Sequence, residues 1–321
     1  MRRRLYIVRI SLVHPKFTFV SDFDGVWTNP KKELQSVHDT VKSHLLEISG
    51  WSKSKVEEVY AAFGQEVFQS PKNYGWRIEG RFSSFVDEDY FAVPTSIAQY
   101  IDDAPCDDAR SLKNLILKDF DSVLAFVDTC YLSSCESFRD KVSHDLVDGS
   151  ESVLRWLIDN NVQIVFATNA PYEKVRDWLG EYDLEVADAR DNNFKSSPIR
   201  VYGRSGKQHL AENSKILNFG GRPVFCDRPE YLSILAEENP DFVLGDVLSL
   251  DLSQPIAMRV NSHSSAPFAV GIMDLPHTPD WVLESVGEGP EKVDYLVSHV
   301  TSLPRIIQEI RTKQYDYGTV S

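Results

Sequence analysis

Short apolar runs, each ending in polar residues or glycine, are the feature that most constrains how this chain can fold. The clearest are residues 17–20 (FTFV), 162–167 (VQIVFA) and 242–244 (FVL), and two further candidates are 223–226 (PVFC) and 268–272 (FAVGI). Runs this short, rich in branched and aromatic residues, are typical of strands that are buried on both faces of a parallel sheet. We therefore predict a parallel sheet built from these strands.

Helical periodicities lie between and after the runs, at 150–160, 172–179, 230–238 and 303–311. Strands that alternate with helices favour a sheet that is covered by helices on both faces. The predicted fold class is therefore α/β, a Rossmann-like, doubly wound parallel sheet.

More than a hundred residues separate the first predicted strand from the second, far more than a simple crossover needs. This segment has helical patterns of its own, at 30–50, 56–67 and 112–127, whereas 73–91 has no clear period and is predicted to be loop. We predict an inserted, mainly helical cap domain. The predicted boundaries are 15–25 and 148–310 for the core, 26–147 for the cap, and 1–14 and 311–321 for terminal extensions.

Composition limits the classes of partner. With 34 Lys+Arg against 48 Asp+Glu the net charge is −14, and an acidic surface repels nucleic-acid phosphates. No stretch approaches the ~20 apolar residues of a membrane span. The four cysteines form no CxxC pair and show no zinc-ligand spacing. We expect a cytoplasmic protein that binds neither nucleic acid nor membrane, and oligomeric state is left open.

Carboxylates follow two of the predicted strands. Asp22 and Asp24 end the first strand, and Gly25 then permits a sharp turn of the backbone. Asp246 follows the FVL strand, with Asp251 a few residues further on. Because ligands of parallel α/β sheets bind outside the carboxyl ends of the strands, we expect these acids to share one crevice.

Acids gathered from two strands repel one another unless a cation lies between them. Mg²⁺ suits such a place because it prefers a few carboxylates together with water and substrate oxygens. A carboxylate can also attack phosphorus, and a second one can protonate the leaving oxygen and later activate water.

Three strand ends resemble motifs of the haloacid dehalogenase (HAD) superfamily of hydrolases. DFDGVWT (22–28) is similar to its first motif, ATN (167–169) to its second and GDVLSLD (245–251) to its fourth, in the family's order. The resemblance covers the predicted core, and the insertion lies where the family often places a mobile cap. An acid at position 24 favours phosphoryl chemistry over dehalogenation, so the resemblance implies a phosphatase.

The resemblance also implies roles for the acids. Asp22 would be the nucleophile and Asp24 the general acid and base. Mg²⁺ would be held by Asp22, the main-chain carbonyl of Asp24 and Asp246, with Asp251 assisting directly or through water. Asp251 could instead belong to a capped turn.

The remaining implied site residues leave alternatives open. Thr168 would hydrogen-bond a phosphoryl oxygen, and Asn169 would assist through its backbone or side chain. Alternatively, both residues could simply cap the next helix. The family's third motif is a Lys or Arg, for which Arg228 is preferred over Lys207 because a proline and a helix follow it directly. Asp227 is an alternative acid of the fourth motif.

We expect Mg²⁺-dependent hydrolysis of a small phosphorylated metabolite, a phosphate monoester, through an aspartyl-phosphate. The alternatives are a phosphomutase or phosphonate hydrolase on the same core, or a catalytically idle binding protein. In the insertion, Lys72, Arg77 and Arg81 lie among aromatic residues. They could clamp an anionic substrate, or their stems could simply lie over the aromatic rings.

Overall fold

A parallel sheet of seven strands lies at the centre of the protein. The computed structural model describes residues 16–139, 144–191 and 196–318. The strands of the sheet are β1 (Phe17–Ser21), β4 (Val162–Ala167), β5 (Ala187–Asp188), β6 (Ile199–Tyr202), β9 (Phe242–Gly245), β10 (Ala269–Met273) and β11 (Tyr295–Val297). Their order across the sheet is β11-β10-β9-β1-β4-β6-β5, and every neighbouring pair is parallel.

Buried apolar side chains alternate between the two faces of the sheet. In β1, Phe19 packs on one face and Val20 on the other, and β4 divides Ile164 and Val165 in the same way. Helices cover both faces, which confirms the predicted Rossmann-like, doubly wound α/β class. They are α6 (Ser150–Asp159), α7 (Tyr172–Gly180) and α11 (Leu303–Gly318) on the first face, and α8 (Pro229–Glu238), α9 (Ser253–Val260) and α10 (Asp280–Leu283) on the second.

The direction in which the sheet grows reverses at β1. From β1 the chain proceeds to β4 and then to the edge pair β5 and β6, after which it crosses to β9 and proceeds through β10 to β11. The carboxyl ends of β1 and β9 therefore flank a topological switch point, which is where sheets of this kind bind ligands.

Five helices between β1 and β4 pack around a hydrophobic core of their own, which includes Val41, Phe63, Ile97 and Phe126. They are α1 (Lys31–Ser49), α2 (Lys53–Gln69), α3 (Ala92–Asp103), α4 (Asp107–Ile116) and α5 (Val123–Arg139). The prediction of one helix over 112–127 is wrong, since α4 and α5 divide it. The hydroxyl of Ser122 accepts the N–H of Ala125 and so begins α5 as a separate helix.

The segment predicted to be loop contains a β-hairpin instead, formed by β2 (Gly75–Ile78) and β3 (Arg81–Phe85). Its turn residues, Glu79 and Gly80, both have positive φ angles, of 49° and 79°. Two such residues between paired strands give a turn whose twist matches that of the strands.

A second hairpin corrects the prediction for 223–226. This run forms β8 (Arg222–Phe225), which pairs antiparallel with β7 (Ile216–Phe219) outside the main sheet. Gly220 and Gly221, both with positive φ, turn the chain back on itself. Pro223 also cannot donate a ladder hydrogen bond, which disfavours it in a central strand.

The predicted domain boundaries stay predictions. Near two of them, residues pack differently from what the sequence led us to expect. Val26 and Trp27, expected in the insertion, are buried in the core beneath the sheet. At the other end, α11 continues to Gly318, beyond the expected end at 311, while the predicted 1–14 extension lies outside the described residues. Among the helices that the structure describes, none is both long and apolar enough to cross a membrane.

Candidate active site

Three carboxylates meet at the switch point. Asp22 leaves β1, where its N–H still donates to the carbonyl of Leu244 in β9 at 2.9 Å. Asp246 leaves β9, and Asp251 follows in the π-helical turn Leu248–Leu252. Oxygens of Asp22, Asp246 and Asp251 all lie within 4.8 Å of one another, and this is the single such group of metal-ligating side chains among the described residues.

The backbone around the acids is shaped by glycines. Gly25 has φ +78°, and a Cβ at this position would lie 1.9 Å from Oδ2 of Asp246. A Cβ at Gly245 would lie 2.2 Å from the Cβ of Asp251. Only glycine therefore lets the loops after β1 and β9 approach closely enough for their acids to meet.

Asp251 is held by the backbone of its own loop. Its Oδ2 accepts the N–H groups of Asp246 and Val247, at 3.1 and 3.0 Å, which closes the loop after β9 into a tight turn. Its backbone carbonyl accepts the hydroxyl of Tyr231 at 3.1 Å. These bonds order the loop that carries Asp246, and they resemble the capped turn that was the alternative interpretation of Asp251.

Lys207 is the cation of the cluster. Its Nζ lies 2.6 Å from Oδ1 of Asp22 and 2.6 Å from Oδ1 of Asp251, and its side chain is 3% exposed. Burial lowers the pKa of Lys207, but the charges of Asp22 and Asp251 outweigh this effect and raise the pKa above its usual value. A buried ammonium is thus fixed beside the carboxylate expected to act as nucleophile.

Arg228, which the sequence favoured as the cation of the third motif, does not lie beside Asp22, whereas Lys207 does. Its guanidinium is fully buried and donates to backbone carbonyls and hydroxyls, among them the hydroxyl and carbonyl of Ser83 and the carbonyl of Lys207. Among the contacts of the residues that the structure describes, none joins Arg228 to Asp22. Arg228 therefore supports the segment that carries Lys207 and ties hairpin strand β3 to the sheet domain.

Asp227 also lies away from the acids. Its Oδ2 accepts the N–H of Lys215 at 2.6 Å, beside the second hairpin. The alternative in which Asp227 serves as the fourth-motif acid has no support from this placement.

The electrostatics of the cluster suit a divalent cation. Burial, reinforced by the charges of Asp251 and Asp24 and opposed by Lys207, raises the pKa of Asp22 to about 7. Burial and the charges of Asp251 and Asp22 raise the pKa of Asp246 well above its usual range. Asp251 is buried and Asp22 and Asp246 are half-buried. One ammonium does not balance these three carboxylates, and an all-oxygen set of this kind fits Mg²⁺.

Asp24 faces a second buried lysine. Lys174, on α7, places Nζ 2.8 Å from Oδ1 of Asp24 and 2.6 Å from Oε2 of Glu33, on α1 of the insertion. The hydroxyl of Thr28 donates to the same oxygen of Asp24 at 2.9 Å. Burial lowers the pKa of Lys174, but the charges of Asp24 and Glu33 outweigh this effect and raise the pKa.

The second motif lies beside the acids. Thr168 is buried and its hydroxyl accepts the N–H of Ala170 at 3.1 Å, while Oδ1 of Asn169 accepts the N–H of Lys207 at 3.1 Å. Both residues line the same cavity as Asp22. Asn169 thus helps to position the segment that carries Lys207.

A cavity of about 380 Å³ opens above the acids, between the sheet and the insertion. This volume is in the range of small-molecule sites. The sheet side contributes the four acids together with Thr168 and Lys207, and the insertion contributes aromatic side chains such as Trp76 and Tyr131. Arg77 and Arg81 do not line it: Arg77 lies over the ring of Phe82, and Arg81 donates to the carbonyl of Ala211.

Several residues of this site were not predicted. Lys174 is in the first turn of the helix after the second motif, so its position was a usable signal. Glu33, Tyr90 and His277 offered none, because tertiary packing alone brings them to the cavity. Tyr90 of the insertion and His277 of the loop after β10 stack there with ring centroids 3.6 Å apart.

No protein-family model matches the chain, and no curated protein sequence matches it. Solved structures do match. A HAD phosphatase from Thermococcus onnurineus is 13% identical, with 91% of this chain and 98% of that one covered and a TM-score of 0.43. A 2-haloacid dehalogenase from Pseudomonas syringae is 10% identical, with 92% and 99% covered and a TM-score of 0.42.

A protein described as a HAD hydrolase, YfnB from Bacillus subtilis, was solved bound to magnesium. It is 12% identical, with 91% of this chain and 99% of that one covered and a TM-score of 0.40. These structures are hydrolases of the superfamily that the motifs resemble. Since all the identities and TM-scores are low, we base the function on the residues of the site itself.

Proposed function

We propose that this chain, with the motifs of the haloacid dehalogenase superfamily on a doubly wound sheet, is a magnesium-dependent hydrolase of a small phosphate monoester. The observation that carries the proposal is the meeting of Asp22, Asp246 and Asp251 within 4.8 Å at the switch point, with Lys207 2.6 Å from Asp22. A nucleophile, a cation and an acidic ligand set then face one cavity.

Asp22 and Asp246, assisted by Asp251, are the residues that would hold Mg²⁺. When bound, the ion supplies positive charge that offsets the carboxylates and the phosphoryl oxygens. The family resemblance implies that the main-chain carbonyl of Asp24 would be a further ligand of the ion. Lys207 supplies a further fixed positive charge to the phosphoryl group. Because this charge is already in position, it stabilises a charged transition state without reorganisation of the site.

In the first step, Asp22 attacks phosphorus in line with the departing alcohol, and the phosphorus–oxygen bond of the ester breaks. Asp24 gives its proton to the leaving oxygen. The products of this step are the free alcohol and an aspartyl-phosphate on Asp22. Thr168, which follows β4 and lines the same cavity as Asp22, would hydrogen-bond a phosphoryl oxygen.

In the second step, Asp24 takes a proton from a water molecule, whose oxygen then attacks phosphorus. The bond between phosphorus and the carboxylate of Asp22 breaks, phosphate leaves, and both acids return to their initial states. The Lys174–Glu33 contact holds Asp24 at the edge of the cavity between the two steps.

Turnover of p-nitrophenyl phosphate and of a panel of metabolite phosphates tests the proposal. We expect phosphate release that requires Mg²⁺ and is abolished by chelation. Asp22→Asn should remove nearly all of it, because the amide is not a nucleophile, while the variant folds like the wild type. Magnesium-dependent release that survives Asp22→Asn contradicts the assignment.

The products separate the proposed reaction from its alternatives on the same core. A phosphatase releases inorganic phosphate and the alcohol, a phosphomutase returns an isomeric phosphate ester, and a phosphonate hydrolase cleaves a carbon–phosphorus bond. For an idle binding protein, no member of the panel is turned over.

A further inference from the structure

The half of the cavity that faces the insertion has an aromatic wall. Trp76 and Tyr131 meet edge to face with ring centroids 5.9 Å apart, and Phe91 meets Tyr131 in the same way at 6.3 Å. Tyr90 and His277 form a stacked pair on the wall of the same cavity. Rings arranged like this present apolar surface and electron-rich faces to a bound molecule.

The charged groups on this wall are all acidic. Glu33, Asp89 and Glu136 line the cavity from the insertion, and no described Lys or Arg side chain of the insertion does so. Glu33 is paired with Lys174. Oxygens of Asp89 accept the hydroxyl of Ser84 and the N–H of Phe91, which orient a carboxylate but do not neutralise it.

The cationic side chains of the cavity belong to the sheet domain. Lys207 lies between two carboxylates, Lys174 lies between Asp24 and Glu33, and Arg204 is exposed at the rim. Burial, and then the charge of Lys31, lower the pKa of His277 to about 4, so its ring is uncharged at neutral pH. Around the whole cavity, seven carboxylates face three cationic side chains.

We propose that the alcohol half of the substrate is an aromatic or aliphatic group without a second anionic substituent, and that a positive charge on it strengthens binding. This inference rests on the proposed phosphohydrolase function, because it takes the phosphoryl group to lie beside Asp22 and Lys207. The alcohol half then faces aromatic rings and carboxylates. A cation is attracted by both, while a second phosphate or carboxylate is repelled.

The same argument bears on the phosphomutase alternative. A mutase that passes a phosphoryl group between two positions handles a bisphosphate, whose second phosphate would face Glu33, Asp89 and Glu136. The charge of this wall therefore favours a hydrolase for monophosphates.

Three esters of matched size test the inference: the phosphates of benzyl alcohol that carry aminomethyl, hydroxymethyl or carboxyl groups at the para position. We expect kcat/KM to fall in that order, with the aminomethyl ester on the order of tenfold above the carboxyl ester. Equal or reversed preference with clear turnover overturns the inference and leaves the phosphohydrolase standing. Absence of turnover on every ester and on p-nitrophenyl phosphate contradicts the proposed function, and the inference falls with it.

Binding gives a second readout that does not need turnover. The three corresponding benzylphosphonates cannot be hydrolysed as esters, and their Kd values, measured by calorimetry with Mg²⁺ present, should follow the same order. A Kd for the carboxyl compound as low as that for the aminomethyl compound contradicts the inference.

A charge reversal locates the effect. Glu136 is exposed on α5 and lines the cavity, so Glu136→Lys should fold normally and raise kcat/KM for the carboxyl ester relative to the aminomethyl ester by about tenfold. Glu58→Lys, an exposed change of the same charge on α2 away from the cavity, should leave the ratio unchanged. An equal shift in both variants would mean that net charge, not the cavity wall, sets the preference.

Discussion

At the scale of single residues, the proposed site depends on which buried cation contacts Asp22, the proposed nucleophile. Lys207 donates hydrogen bonds to Asp22 and Asp251, whereas Arg228 donates hydrogen bonds to surrounding carbonyls and hydroxyls. We therefore expect removal of Lys207 to reduce activity and removal of Arg228 to reduce stability.

Lys207→Ala should lower kcat by about 10²–10³-fold, because it removes a fixed charge from the phosphoryl group. Added ethylammonium, which restores an ammonium in the vacated space, should recover part of the activity. Arg228→Met should chiefly lower the free energy of unfolding, by about 3 kcal/mol or more, because it leaves several buried acceptors unpaired. The account is contradicted if Lys207→Ala keeps full activity, or if Arg228→Met is inactive yet as stable as the wild type.

The sequence predicted the acids directly, whereas it named Lys207 only as the second choice behind Arg228, and the reason is physical. Asp22 and Asp246 follow buried strands, so strand topology alone brings them together. Lys207 reaches the site because its segment bonds back onto the second motif, with the N–H of Ser205 on the carbonyl of Thr168 and the N–H of Lys207 on Asn169. Such long-range hydrogen bonds leave no periodic trace in a sequence.

At the scale of elements, one buried ion pair ties the insertion to the sheet domain beside the site. Lys174 of α7 reaches Glu33 of α1 at 2.6 Å and Asp24 at 2.8 Å, and the side chains of Lys174 and Glu33 are 5% and 8% exposed. Removing the lysine would leave two carboxylates facing each other out of water, a costly arrangement.

Lys174→Met should therefore lower the free energy of unfolding by about 3–5 kcal/mol, measured by urea denaturation near neutral pH. Adding Glu33→Gln to this variant should restore part of the loss, since one unpaired charge disappears. Glu33→Gln alone should cost less, because Lys174 keeps Asp24 as a partner. If Lys174→Met is as stable as the wild type, the contact does not link the two parts as described.

The elements themselves were predicted unevenly. Helices α1 and α2 followed from clear apolar periodicity, and Gly50 ends α1 in a left-handed conformation as its sequence position indicates. The hairpin of β2 and β3 was missed, because its strands are too short for periodicity and its Glu79-Gly80 turn is not one of the usual hairpin signals. Its position over the sheet is set by contacts such as that of Arg228 with Ser83.

At the scale of the whole molecule, the cavity is formed jointly by the sheet and the insertion. The sheet supplies the acids and Lys207, and the insertion supplies the aromatic and acidic wall. If the proposed function holds, the sheet carries the chemistry and the insertion the selectivity, so changes in the insertion should alter the choice of substrate more than the reaction.

The central claim is that Asp22 carries the phosphoryl group between the two steps. Rapid acid quench during turnover with Mg²⁺, followed by borohydride reduction and peptide mass spectrometry, tests it directly, because borohydride converts an aspartyl-phosphate into homoserine. We expect homoserine at position 22 only, dependent on both substrate and Mg²⁺. Phosphate release with no modification at position 22, or with modification at Asp24, Asp246 or Asp251 instead, would contradict the account.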